Sequence, residues 1–199
     1  MNASAPALAR EEEVQSKIRR IRLFGRIARV PCAALFGFSV VGLVAVAIFI
    51  LLSTFGLQIR GPEDVAAWTP QMKIWALPFL FAIGSVWLGS IYQFYRLFGN
   101  LAAGAIYTPE NVRRVRNVGL LGLVGVMLGI LIPIAWKLLY AFVFIDPSPA
   151  APAEWFSLSE TLGSFVVAGL ILLCSWIMDV GLHEKDHAEE LQRDADLVI

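Results

Sequence analysis

VGLLGLVGVMLGILIPIAWKLLYAFVFI, residues 118–145, contains one charged side chain, Lys137, in an otherwise almost wholly apolar run. A helix needs about 20 such residues, at ~1.5 Å of rise each, to cross the ~30 Å hydrocarbon core of a bilayer. Three more stretches of this kind lie at 30–55, 74–98 and 161–180. Hydrocarbon offers no partner to a bare N–H or C=O, so a segment this long satisfies its backbone there only as a helix. The sequence is therefore read as an all-α integral membrane protein with four transmembrane helices in an antiparallel bundle. Composition agrees: 58% of residues are hydrophobic and 16% charged, where a soluble domain has about 25% charged. Residues 1–29 form a cytoplasmic basic segment, 30–183 the membrane domain and 184–199 an acidic cytoplasmic tail. Neither flanking piece is long enough to bury a core of its own.

Charge sorting sets the expected topology. Arg10, Lys17, Arg19, Arg20, Arg22, Arg26 and Arg29 precede the first span, and Arg96, Arg113, Arg114 and Arg116 lie between the second and third. Positively charged flanks face the cytoplasm. The stretch 56–73 holds only Arg60 and Lys73, and 146–160 holds no basic residue, so both are expected outside and both termini inside. Span 30–55 exceeds the ~7–15 residue core of a signal peptide and is read as a retained helix. Trp68, Trp75 and Trp155 fall at the outer boundary and Tyr92, Tyr95, Phe98 and Trp176 at the inner one, where aromatic belts form. A formal net charge of +0 predicts no direct nucleic-acid partner.

Inside the spans, Lys137 and Asp179 both fall near a boundary, where a charged end can reach water, and they read as anchors. The third span carries Gly119, Gly122, Gly125 and Gly129, with Gly125 and Gly129 spaced as a GxxxG pair. Gly122, Gly125 and Gly129 are the expected helix-packing positions, within the bundle or between copies in a homo-oligomer. Pro133 should bend that span. Cys32 and Cys174 both lie toward the reducing side, which argues against a structural disulfide.

Three segments outside the bilayer carry the remaining signals. Val14, Ile18, Ile21, Phe24, Ile27 and Ala28 recur at three or four residues among basic neighbours, which predicts an amphipathic helix lying on the inner lipid surface. Between the second and third spans, Gly104 suits a helix C-cap, Thr108 an N-cap, Pro109 the first helical position and Glu110 the positive helix start. The following Arg113, Arg114 and Arg116 present a basic surface to a partner. The acidic tail, with Glu189, Glu190, Asp194 and Asp196, is expected to be helical and either docks back on that basic surface or stays free of it. His183-Glu184-Lys185-Asp186-His187 matches the H-E-x-x-H zinc signature. Its variable positions are charged and its third-ligand candidates, Glu190 and Asp194, extend along the same helix. His183 and His187 are thus weak metal candidates on a solvated face; no cofactor is expected, and a zinc-dependent hydrolase is the remote alternative.

Phe98-Gly99-Asn100-Leu101, Gly104-Ala105-Ile106-Tyr107-Thr108-Pro109-Glu110-Asn111 and the run from Arg113 to Gly119 resemble the prokaryotic membrane family called domain of unknown function 2975. Its corner motif reads G-x-[FY]-T-x-x-N and its tail ends near D-L-T-[VI]; here the ending is Asp196-Leu197-Val198-Ile199, with Val198 in the threonine position. Carried over residue by residue, the motif positions are Gly104, Tyr107, Thr108, Asn111, Asp196 and Leu197. The resemblance implies four spans, a bacterial inner-membrane location and a helix-turn-helix regulator as a frequent neighbouring gene product. It implies no activity and no catalytic residue. The resulting expectation is a non-enzymatic multi-pass membrane protein acting through a cytoplasmic regulatory partner; the alternative is a small transporter or channel formed by homo-oligomerisation.

Overall fold

The computed structural model describes residues 5–55, 69–105, 108–143 and 158–197. Its regular structure there is entirely helical: α1 (Ala5–Thr54), α2 (Pro70–Ala103), α3 (Pro109–Val143) and α4 (Leu158–Leu197). Within them Gln15–Thr54, Pro70–Ala103, Pro109–Leu139 and Leu162–Ala195 are each long and apolar enough to cross a membrane. Large apolar side chains on their outer faces, among them Phe38, Val41, Trp87, Phe165 and Trp176, are exposed. Continuous exposed apolar surface of this kind suits lipid and not water.

Helix ends are closed by local chemistry. At the end of α1 the Thr54 hydroxyl donates to the Ile50 carbonyl at 2.7 Å. Thr69 caps α2, its hydroxyl accepting from the Met72 N–H at 3.4 Å, with Pro70 in the first turn where a missing N–H costs nothing. At the other end Gly104 takes φ 88°, and its N–H donates to the Leu101 carbonyl at 3.0 Å. The Ala105 N–H donates to the Asn100 carbonyl at 3.0 Å, which completes a Schellman termination.

The helices pack in chain order, α1 on α2, α2 on α3 and α3 on α4, and no packed interface joins α1 to α4 among the described residues. Small residues mark the closest approaches. A β-carbon at Gly25 would come within 2.7 Å of the Ala102 amide nitrogen, so α1 and α2 nearly touch backbone to backbone there. Between α3 and α4, Gly119 meets Leu172 and Gly122 meets Ala168, where added β-carbons would fall 2.7 Å and 3.1 Å from those side chains. Polar links pin the same interfaces. Arg29 donates to the Tyr95 hydroxyl at 2.7 Å and lies over its ring, Trp87 donates to Ser39 at 3.1 Å, and Lys73 donates to Ser53 at 2.7 Å.

One expectation changes. The basic segment before residue 30 is no separate surface helix: α1 runs unbroken from Ala5 to Thr54 through Pro31. Its close approach at Gly25 fixes it along α2, so Phe24 and Ile27 of the expected apolar stripe stay exposed while Gly25 is buried. The tail is helical, as expected, and of its two alternatives the structure has the one in which it does not turn back at His187, because α4 continues to Leu197. Its sequence there is rich in Glu, Lys, Ala, Leu, Gln and Arg, good helix formers with no breaker after Gly181.

Candidate functional site

The corner between α2 and α3 concentrates the buried polar groups. Asn111 has no exposed surface. Its side-chain amide donates to the Ala105 carbonyl at 2.5 Å, and its side-chain oxygen accepts from the Asn100 amide at 2.8 Å. Its own N–H donates to Thr108, reaching the carbonyl at 3.0 Å and the hydroxyl at 3.3 Å. One asparagine thus ties the end of α2, the corner and the first turn of α3 together, using both ends of its amide. Thr108 is the N-cap and Gly104 the left-handed C-cap, so three motif positions have structural roles in one turn. Tyr107 and the side chain of Asp196 lie outside the described residues, and Asp196 and Leu197 are the last helical positions of α4.

Around this turn the arginines divide. Arg113 and Arg116 are exposed, whereas Arg114 is only 9% exposed and does not belong to the outer basic surface. Its guanidinium is drawn inward by Glu110, one helical turn earlier, with which it forms an ion pair, and by the Gln93 side chain of α2 at 3.3 Å. Its Nε is buried without a partner. Arg22 of α1 lies against Gly104, where a β-carbon would fall 2.5 Å from its Nε. There its charge faces the end of α2, the negative pole of that helix. Ser175 of α4, 1% exposed, donates to the Val112 carbonyl at 3.3 Å and brings the fourth helix to the same level.

At the far end of the α1–α2 pair Lys73 is 6% exposed, with its ammonium held by Ser53 in the last turn of α1. Sequence reading placed Arg114 on the outer basic surface and Lys73 as a flanking charge, and passed over Gly25, since which helix face meets a neighbour is not written in local residue type. The periodicity of α1 carries the one usable signal, with Ile18, Ile21, Gly25, Ala28 and Cys32 on the stripe turned toward α2.

Of the packing glycines, Gly122 is in tight contact, a β-carbon at Gly125 would fall 3.5 Å from Val86, and one at Gly129 would meet nothing within 4 Å. The GxxxG pair is therefore not the crossing point. The helices cross one turn earlier, at Gly119 and Gly122, and Gly125 and Gly129 instead line a groove of about 410 Å³ with Ile83, Trp87, Leu121 and Ser164. His183 and His187 are exposed on α4. Nδ1 of His183 lies 3.2 Å from the Asp179 carbonyl, and Nδ1 of His187 lies 4.0 Å from Glu190. No group of three or more His, Cys, Asp or Glu side chains among the described residues is arranged to hold a metal ion. Lys137 and Asp179 are both exposed.

Residues 62–199 match a family described as protein of unknown function, DUF2975. Comparison with curated proteins and with solved structures gives no match.

Proposed function

Since the chain belongs to the DUF2975 family of unknown function, we propose that it is a non-enzymatic, multi-pass protein of the bacterial inner membrane that docks a cytoplasmic regulatory protein. The four helices run antiparallel, with both termini and the α2–α3 corner on the cytoplasmic side. Pairing of Gly25 with Ala102 and of Ser53 with Lys73 supports the antiparallel reading for α1 and α2, and Asn100 with Asn111 and Val112 with Ser175 support it for the rest.

One observation carries the proposal. Both outer helices continue past the corner on the same side, α1 back to Ala5 and α4 on to Leu197, which leaves helical arms of roughly 20–25 Å at ~1.5 Å per residue. On α4 the arm is exposed and charged, and on α1 the described part holds exposed Lys17, Arg19, Arg20 and Arg26. Spanning a bilayer needs none of this length, and exposed charged helices on a rigid scaffold suit recognition of a charged protein surface. The family resemblance names a helix-turn-helix regulator as a partner class. Co-purification from native membranes in mild detergent tests it, with the full chain compared against a chain ending at His187 and against Arg113→Glu with Arg116→Glu. A soluble protein retained by the full chain and lost from both variants is expected; equal retention, or no soluble partner, contradicts the reading.

A second reading rests on the groove at Gly125 and Gly129, which suits a small transporter or channel. It predicts solute flux in vesicles that is abolished by Gly129→Leu.

A further inference from the structure

The helices that end the row, α1 and α4, each keep one face without a neighbour. On α1, Arg19, Leu23, Arg26, Val30, Gly37 and Val44 recur at the three- and four-residue steps of a seven-residue repeat, and all are exposed. On α4, Val180, Trp176, Gly169 and Val166 follow the same repeat and are also exposed, with the exposed Glu184 one turn beyond Val180. That spacing is the seam of a left-handed helix pair. A β-carbon at Gly37 or at Gly169 would meet nothing within 4 Å, so a foreign helix could approach closely at either.

Levels along the two faces correspond. Gly25 of α1 meets Ala102, Asn100 meets Asn111, and Val112 meets Ser175; farther along, Leu43 meets Gly84, Val86 meets Gly125, and Gly122 meets Ala168. Carried across these contacts at ~1.5 Å per residue, Gly37 comes level with Gly169, and Glu184 comes level with the stretch between Arg19 and Arg26, each to within about one turn. Charge matches as well. Between residues 15 and 54 α1 contains no acidic residue, its glutamates Glu11, Glu12 and Glu13 lying toward the far end of the arm, whereas the arm of α4 carries Asp179, Glu184, Asp186, Glu190 and Asp194 against Lys185 and Arg193. The two arms protrude on the same side, yet no packed interface joins α1 to α4 among the described residues.

We propose that a second copy of this chain covers these faces: α1 of each protomer packs along α4 of its partner, in a two-fold dimer whose axis runs along the membrane normal. Such an interface is isologous and closes on itself, which satisfies both free faces at once. It sets the basic arm of one protomer beside the acidic arm of the other and leaves Arg113 and Arg116 clear of the seam. The GxxxG pair of α3 takes no part.

Disulfide trapping in reconstituted bilayers tests this with full-length chains carrying Cys32→Ala and Cys174→Ala. One tagged population receives Gly37→Cys and a differently tagged one Gly169→Cys. Oxidation is expected to give a covalent dimer bearing both tags. Glu184→Arg should lower its yield roughly fivefold, since several exposed ion pairs turn repulsive together. Arg19→Glu with Arg26→Glu in the other population should restore it. If both cysteines placed in one chain join only within that chain, or if trapping between copies occurs through Gly129→Cys instead, the proposal is overturned. The unsubstituted protein gives an independent measurement: its mass in lipid nanodiscs should correspond to two copies, and a single copy overturns the proposal whatever the variants do.

Discussion

Asn111 illustrates how one side chain can define a turn. Replacing it with Ala leaves the Ala105 carbonyl and the Asn100 amide without their partner in a buried place, a loss of about 2–3 kcal/mol. Thermal unfolding in detergent should register it as a clear drop in melting temperature, and an unchanged melting temperature would contradict the role assigned to Asn111. Lys73 poses the opposite problem, a buried cation held by one hydroxyl. Ser53→Ala strands that ammonium and should destabilise the protein by roughly 1–3 kcal/mol, while Lys73→Met removes the charge with its need for a partner and should cost far less. The same unfolding measurement, run on both variants, separates the two cases. Of these residues, Thr108 and Gly104 were legible from sequence, because capping is decided within four or five neighbouring residues. The burial of Lys73 and Arg114 was not, because it depends on Ser53, twenty residues earlier, and on Gln93, in the preceding helix.

At the level of the helix, existence was easier to read than extent or contact. Four apolar runs identify four helices since hydrocarbon allows little else. Their ends extend well beyond those runs: α2 begins at Pro70 and not 74, α4 reaches Leu197, and α3 begins at Pro109, where the Thr108-Pro109 cap places it and not the apolar run. Apolarity marks only the part of a helix in lipid, while caps and good helix formers set its length. Glycine contacts are harder still, since four glycines on α3 look alike in sequence and the crossing selects Gly119 and Gly122. Gly122→Leu must therefore push α4 away from Ala168 and should destabilise the fold by about 1–3 kcal/mol. Gly129→Leu projects into open space and should leave the melting temperature within a degree or two. Equal losses at the two positions would place the crossing elsewhere.

Over the whole molecule, the body formed by the four apolar helices carries charged helical arms on one of its sides. The arms are continuous with the spans, through Pro31 in α1 and past Gly181 in α4, so a force or a binding event at an arm acts directly on a transmembrane helix. That continuity is what an amphipathic helix lying flat on lipid, or a tail folded back on the corner, would have lacked. It also makes topology the premise on which both the docking surface and its partner depend. The most direct measurement is labelling of single introduced cysteines in intact cells and inverted vesicles with a membrane-impermeant maleimide. The cysteines replace Arg20, Arg116 and Lys185, and one further position in each of the stretches 56–68 and 146–157. The first three are expected to react only from the cytoplasmic side and the other two only from outside. Labelling of Arg20→Cys and Lys185→Cys from opposite sides, or of all three inner positions from outside, would contradict that topology.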